Sequence, residues 1–298
     1  MYEKGILKTT MSNLTQELIQ ETNQQQLSQY TTIPNPKFER IEQNLFYIFE
    51  TEMKSSDSII LDYKPEVIRK IAAFLSGKIS RSASIGIAGE TASGKSTITL
   101  DIIETINAFA TEYDNNNVIT RVNTDDYYYD RSAMVKEAGS FAEFAKHYDL
   151  DIPQALELEL MNEHIKQLLS GKEVYLPKYD MSGTAIRHDN YTLAKPSGII
   201  ISEGLFTLTE KIKNAFDFKI YVDIREHIQK ERFYIRAKER DLGSSADSIY
   251  NNAAQKAEIY IRPCKAHADI ILSGESDRAR YKHFLNKILA IVQNEYFS

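Results

Sequence analysis

The sequence predicts a three-layer α/β fold with a mostly parallel sheet, and two observations carry that expectation. From Ser82 onward, short and nearly continuous apolar strands alternate with segments of helical period, as in a parallel sheet covered on both faces. Polar, chemistry-bearing residues also stand directly after three of those strands, and ligands of open α/β sheets gather at the carboxyl ends of strands.

Ahead of that pattern lies an extension. Residues 1–36 are polar and glutamine-rich, with Gln24-Gln25-Gln26 at the centre. They hold too few large apolar groups to offset the entropy of ordering, so a disordered tail is expected. Ile33-Pro34-Asn35-Pro36 is expected to break any regular element there. Residues 37–79 read as a helical extension. Phe38, Ile41, Leu45 and Phe49 recur at helical spacing, and a second helix runs from Lys64 to Leu75 with Val67, Ile68, Ile71 and Ala72 inside it. The expected role is a packing arm on the core, with docking on a partner as the alternative. Residues 80–298 form the main domain.

Within that domain, Ser84 to Ala88 is the first strand and a helix-period run follows from Thr97. Asn117 to Asn123 is the next strand, and Leu156 to Leu169 is a helix with Gly171 as its stop. Glu173 to Pro177 and Tyr191 to Ala194 read as two short strands around a loop. Gly198 to Ser202, Phe218 to Val222 and Ala268 to Leu272 are buried strands. A helix begins near Glu226 and breaks at Leu242-Gly243-Ser244-Ser245, a plausible hinge, and the last helix spans Asp277 to Asn294.

The formal net charge of −6 argues against a nucleic-acid surface as the main business. Cys264 is the only cysteine, so no intrachain disulfide can form, and it reads as a small half-buried residue. No apolar run has the length of a membrane span, and Met1 to Thr10 lacks the apolar core of a signal peptide. A soluble, cytoplasmic protein is expected.

The chemistry starts with Gly89-Glu90-Thr91-Ala92-Ser93-Gly94-Lys95-Ser96, a complete phosphate-binding loop between a strand and a helix that opens at Thr97. Such a loop points successive backbone N–H groups at a polyphosphate, on the positive end of the helix that follows. Lys95 is expected to reach the β- and γ-phosphates of a nucleoside triphosphate, and the Ser96 hydroxyl to ligate Mg²⁺. A guanine-reading Asn-Lys-x-Asp segment is missing: Leu285-Asn286-Lys287-Ile288 lacks the aspartate. Leu169-Ser170-Gly171-Lys172 matches an ABC-type signature only superficially. A small-molecule kinase is the remaining reading, and three features favour it.

Asp125 stands at a strand end, where a carboxylate can take the proton of an acceptor hydroxyl or align that hydroxyl with the γ-phosphate. Neighbouring Asp126 could help hold Mg²⁺ or orient Asp125, and Tyr127, Tyr128 and Tyr129 could wall a pocket or pack in the core. Glu203 follows the Ile199-Ile200-Ile201 strand, beside the phosphate loop, where it can bind the hydration shell of Mg²⁺. Arg232, Arg236 and Arg240 recur every four residues on one helical face. A lid that closes over the triphosphate would use them so, with Arg236 the foremost contact.

These residues resemble the uridine kinase and phosphoribulokinase family of P-loop kinases. The resemblance spans about Ser82 to Leu272. It rests on an ordered series: Gly86 to Ser96, Asp125 to Tyr128, Leu150 to Ala155, Pro177 to Asp180, Ser202 to Leu205, the arginine helix, and Ala268 to Ile271. It implies the three-layer P-loop kinase fold and ATP-dependent phosphorylation of a hydroxyl on a small molecule, with Mg²⁺. By position, Asp125 resembles the catalytic carboxylate and Asp151 the aspartate that binds sugar hydroxyls. Tyr179 resembles the aromatic residue beside the base, Glu203 the acid on the Mg²⁺ side, and Arg232 and Arg236 lid arginines.

Three positions depart from the family pattern. Ile152 and Gln154 replace the histidine and second aspartate of its Phe-Asp-His-Pro-Asp-Ala motif, and Thr184 stands where a pyrimidine-reading histidine is usual. Loss of base-reading polar groups removes selectivity that such a pocket relies on. The resemblance as a whole still makes a uridine/cytidine kinase-like enzyme the leading expectation, while these departures point to other hydroxyl acceptors. A kinase of a sugar phosphate or pantothenate-like acid, and a catalytically silent nucleotide-responsive binding protein, are the alternatives. The expected ligands are ATP and a small hydroxyl acceptor, without nucleic acid or membrane, and self-association into a homo-oligomer stays open.

Overall fold

The computed structural model describes residues 35–113, 115, 118–241 and 243–297. The expected disordered tail therefore lies almost wholly outside the described residues. Its last two positions do not: Asn35 caps helix α1 (Pro36–Met53) and Pro36 opens it instead of breaking a regular element. The Asn35 side chain accepts from the Phe38 backbone N–H at 3.0 Å, and Pro36 occupies the first turn, where its missing N–H costs nothing.

Strand β1 (Ile60–Tyr63) follows, unanticipated from the sequence, then α2 (Pro65–Leu75), β2 (Ala83–Gly89), α3 (Lys95–Thr111) and β3 (Ile119–Asn123). A 3₁₀ turn at Thr124–Tyr127 leads to two short helices, α4 (Ser132–Ala138) and α5 (Phe141–Ala145), also missed by periodicity. Next come α6 (Leu158–Leu169), the hairpin β4 (Val174–Tyr179) and β5 (Arg187–Ala194), then β6 (Ile199–Glu203) and β7 (Phe218–Asp223). Helices α7 (Glu226–Glu239) and α8 (Ala246–Lys256), a π-helical turn at Ala257–Ile261, β8 (Ile270–Ser273) and α9 (Arg278–Tyr296) complete the chain.

The main sheet has six strands in the order β1-β8-β7-β2-β6-β3. All its pairings are parallel except β1 with β8, where Ile60 faces Leu272 and Tyr63 faces Ile270. Strand alternation divides the apolar residues between two cores. On one face Val122, Ile200 and Tyr221 pack with Leu158, Met161, Ile165 and Leu168 of α6. On the other face Ile87, Ile201, Ile220 and Val222 pack with Ile98 and Ile102 of α3, with Phe284 and Ile291 of α9, and with the extension. Phe38, Ile41, Leu45 and Phe49 of α1 and Val67 and Ile68 of α2 belong to that second core. The extension is thus built into the helical layer and, through β1, into the sheet.

The carboxyl ends of β2, β3, β6 and β7 point the same way, which brings the loops that follow them to one edge. The β4–β5 hairpin overhangs that edge: Tyr179 N–H donates to Asp126 Oδ1 at 3.2 Å, and Lys178 Nζ lies 3.1 Å from the same oxygen. The hairpin therefore holds the Asp126 carboxylate.

Candidate active site

The phosphate loop leaves β2 at Gly89, makes a turn closed by Ser93 N–H donating to the Glu90 carbonyl at 3.2 Å, and enters α3 at Lys95. Gly94 sits in the left-handed region at φ +96°, which glycine adopts without a Cβ penalty. Ala92 is held there too, at φ +59°, a strained conformation for a residue with a side chain. The Ser93 hydroxyl is buried without a hydrogen-bond partner. Gly274, just after β8, closes the loop from the far side: a Cβ there would stand 1.9 Å from the Ser93 carbonyl oxygen.

Around the loop, the predicted residues converge. Lys95 Nζ lies 3.5 Å from the Glu90 carbonyl. Burial pushes the Lys95 ammonium below its ordinary range; Glu203 and Asp125 oppose that, and Arg236 adds to it. Asp125 is the counterpart. Burial pushes its carboxyl above the usual range, the Lys95 charge opposes, and Glu203 and Asp126 add to the rise. Ser96 donates its hydroxyl to Glu203 Oε2 at 3.1 Å, while the other oxygen of Glu203 takes Arg121 Nη2 at 2.8 Å. Thr97 follows in the first turn of α3.

Ser96 and Glu203 present oxygen ligands only, and a carboxylate and a hydroxyl beside substrate phosphates are the donor set Mg²⁺ takes. The orphaned Ser93 hydroxyl and the strained Ala92 fit a loop shaped for a phosphate. Among the described residues no group of three or more His, Cys, Asp or Glu side chains comes together as a metal cage. A dedicated protein cage is not what a phosphate-bound Mg²⁺ requires.

Tyr128 and Tyr179 place their rings 5.1 Å apart. Burial raises the Tyr128 hydroxyl well above its ordinary range, and the charges of Asp125 and Asp151 add to that. Tyr179 is only 4% exposed, its hydroxyl has no partner, and burial pushes it up to about 12. Asp151 accepts from Asn252 Nδ2 at 3.1 Å.

The arginine stripe divides. Arg236 is exposed and stands within electrostatic reach of Lys95. Arg232 is tied down: its Nη1 donates to the Gly274 carbonyl at 2.7 Å, beside the phosphate loop. Arg240 is exposed at the end of α7.

A family model described as Phosphoribulokinase / Uridine kinase family matches residues 84–279. That is well over half of the chain. The chain belongs to the phosphoribulokinase/uridine kinase family. The uridine kinase of Lactobacillus helveticus (strain DPC 4571) is 35% identical over 214 residues, covering 68% of this chain and 92% of that protein. The uridine kinase of Staphylococcus aureus (strain JH9) is 31% identical over 218 residues, covering 71% and 97%. The solved structure of the YGR205w protein has a TM-score of 0.50 at 14% identity, over 70% of this chain and 92% of that one, a likeness of fold. Among the described residues of this family member, no helix is long and apolar enough to cross a membrane.

The groups that hold the site residues in place carry no signature in the sequence. Glu90 is buried and takes Arg262 Nε at 2.7 Å and Gln229 Nε2 at 3.3 Å. Gln229 also donates to the Thr91 carbonyl at 3.1 Å, so α7 grips the loop directly. The Glu90 side chain is thereby engaged by the protein, which leaves its backbone as the phosphate-facing part. Arg262 also pairs with Glu258. These partners are far apart in sequence, and no local pattern announces them. Thr184, at the histidine position of the family pattern, donates its hydroxyl to Asp180 Oδ2 at 2.5 Å.

Proposed function

We propose that this protein transfers the γ-phosphoryl group of ATP, with Mg²⁺, to a hydroxyl of a small acceptor, and that the acceptor is a nucleoside of the uridine or cytidine type. The observation that carries the reading is the joint placement of Asp125 and Lys95 at one edge of the sheet, with Tyr128, Tyr179 and Asp151 beyond Asp125. Gly89 to Thr97 hold the triphosphate through backbone N–H groups and the Lys95 ammonium. Ser96 and Glu203 hold Mg²⁺, which supplies charge neutralisation to the phosphates when bound. Asp125 accepts the hydrogen bond of the acceptor hydroxyl and takes its proton as that oxygen bonds the γ-phosphorus and the bond from the γ-phosphorus to the bridging oxygen breaks, releasing ADP. Its raised carboxyl affinity for a proton suits it to that step. Arg236, on the exposed face of α7, closes over the charge that spreads across the transferring group. The names of the relatives, uridine kinases, supply the nucleoside part of the reading.

A second acceptor class is favoured by one observation. The Thr184 hydroxyl is spent on Asp180 at 2.5 Å, so this position offers a nucleobase no free donor, and another hydroxyl compound of similar size would lose nothing there. The test is phosphorylated-product formation from ATP and Mg²⁺ across uridine, cytidine, other nucleosides, pantothenate, glycerate and pentose phosphates. The proposal expects a pyrimidine nucleoside to stand far above the rest. Selective phosphorylation of a sugar phosphate or pantothenate would move the assignment to the second class. ATP binding without transfer to any acceptor would favour a nucleotide-responsive binding protein.

A further inference from the structure

Helix α8 touches the acceptor side of the site in two places one helical turn apart. Asn252 Nδ2 donates to Asp151 Oδ2 at 3.1 Å, and Lys256 Nζ pairs with Asp149 Oδ2 at 2.6 Å. Residues four apart lie on one helical face, so this face of α8 grips both carboxylates of the Asp149-Leu150-Asp151 segment. Asp149 in turn accepts from the Asp151 backbone N–H at 2.9 Å. The helix does not end there. A π-helical turn at Ala257–Ile261 carries the chain on to Arg262, which grips Glu90 of the phosphate loop. Single π-helical turns within helices are frequent at functional sites.

We propose that Asn252 and Lys256 are positioning residues for the acceptor: they fix Asp149 and Asp151 in the place in which Asp151 can receive acceptor hydroxyls. The inference rests on the phosphotransfer reading above. Four groups face Asp151: Asp149 from its own segment, Tyr128 from the turn after β3, and Asn252 and Lys256 from α8. Burial and the Asp149 charge push the Asp151 carboxyl up, while Asn252 and Lys256 pull it down. Without the ammonium, two carboxylates stand side by side and protonate more readily.

The experiment is steady-state kinetics of the full chain with its best acceptor, for wild type, Lys256→Met, Lys256→Arg and Asn252→Ala. Lys256→Met is expected to raise the acceptor KM about tenfold while kcat changes less than about threefold and the ATP KM stays put. The acid limb of kcat/KM for the acceptor should move to higher pH, and Lys256→Arg should restore both. Asn252→Ala should raise the acceptor KM in the same way. Unchanged acceptor KM in both Lys256→Met and Asn252→Ala overturns the inference, as does a uniform loss of kcat and both KM values that tracks a lowered melting temperature. A wild type that phosphorylates no hydroxyl acceptor overturns the functional reading, and this inference with it.

Discussion

Ser96 and Glu203 are 107 positions apart in the chain and meet at 3.1 Å, hydroxyl to carboxylate. Parallel pairing of β2 with β6 makes the meeting possible, because it sets Ile87 opposite Glu203 and so brings the phosphate loop beside the end of β6. Arg121, on the neighbouring β3, holds the other Glu203 oxygen at 2.8 Å. Three adjacent parts of the sheet edge therefore share one carboxylate.

Glu203→Gln keeps the shape of that carboxylate and removes its charge. Hydrogen bonds to charged groups contribute about 1.5–3 kcal/mol, so the Mg²⁺ concentration at half-maximal rate should rise about tenfold or more. A Mg²⁺ titration at saturating ATP checks this, and an unchanged midpoint would remove Glu203 from the metal's surroundings.

Lys95→Ala should lower phosphoryl transfer by about 100-fold or more, the scale of losing one preorganised donor at developing charge. The fold should persist, because burial opposes the Lys95 charge in the first place. Far-ultraviolet circular dichroism and thermal melting beside the rate measurement separate the two. Full activity in a folded Lys95→Ala protein would contradict the assignment of the loop.

The pH profile carries a sign. Burial raises the Asp125 carboxyl above the usual range, and the ionised form is the one that accepts a proton. The kcat profile should therefore lose activity as pH falls, with its acid limb above the range of an ordinary aspartate. An acid limb at or below that range would mean another group takes the proton.

Gly274→Ala tests the closure of the phosphate loop. The added methyl would meet the Ser93 carbonyl oxygen at 1.9 Å and the Asp223 carbonyl oxygen at 3.2 Å, both backbone atoms. Relief requires the loop to shift, so ATP affinity should fall, with a stability loss of about 1–3 kcal/mol. Isothermal titration with ATP and a denaturant melt read the two effects; wild-type values in both would show that the contact relaxes freely.

Much of this arrangement was legible in the chain, and the exceptions have physical causes. The strands ending at Gly89 and Glu203 announce themselves as apolar runs, because both faces of the sheet are covered there, while the edge strand ending at Asn123 shows only the alternation of Ile119-Thr120-Arg121-Val122. Strand β5 escaped at its start because Arg187-His188-Asp189-Asn190 is largely exposed and shows no apolar period. Strand β1 escaped because it is four residues long and antiparallel at the sheet edge. Asn35-Pro36 reads as a break in the sequence, yet the Asn35 cap starts a helix at Pro36. Asp125, Lys95, Ser96 and Glu203 could be placed together from their positions after strands. Arg262 on Glu90, and Asn252 and Lys256 on Asp151 and Asp149, could not, since those contacts span 172 positions in one case and 101 in another and depend on where α8 lands.

The central claim is that Asp125 prepares an acceptor hydroxyl while the phosphate loop holds ATP independently of it. Its most direct measurement is single-turnover transfer from ATP to the best acceptor by Asp125→Asn, with ATP affinity measured on the same protein. The account predicts transfer slowed by about 100-fold or more with ATP affinity within about threefold of wild type. Transfer near the wild-type rate would contradict it, because some other group would then handle the acceptor.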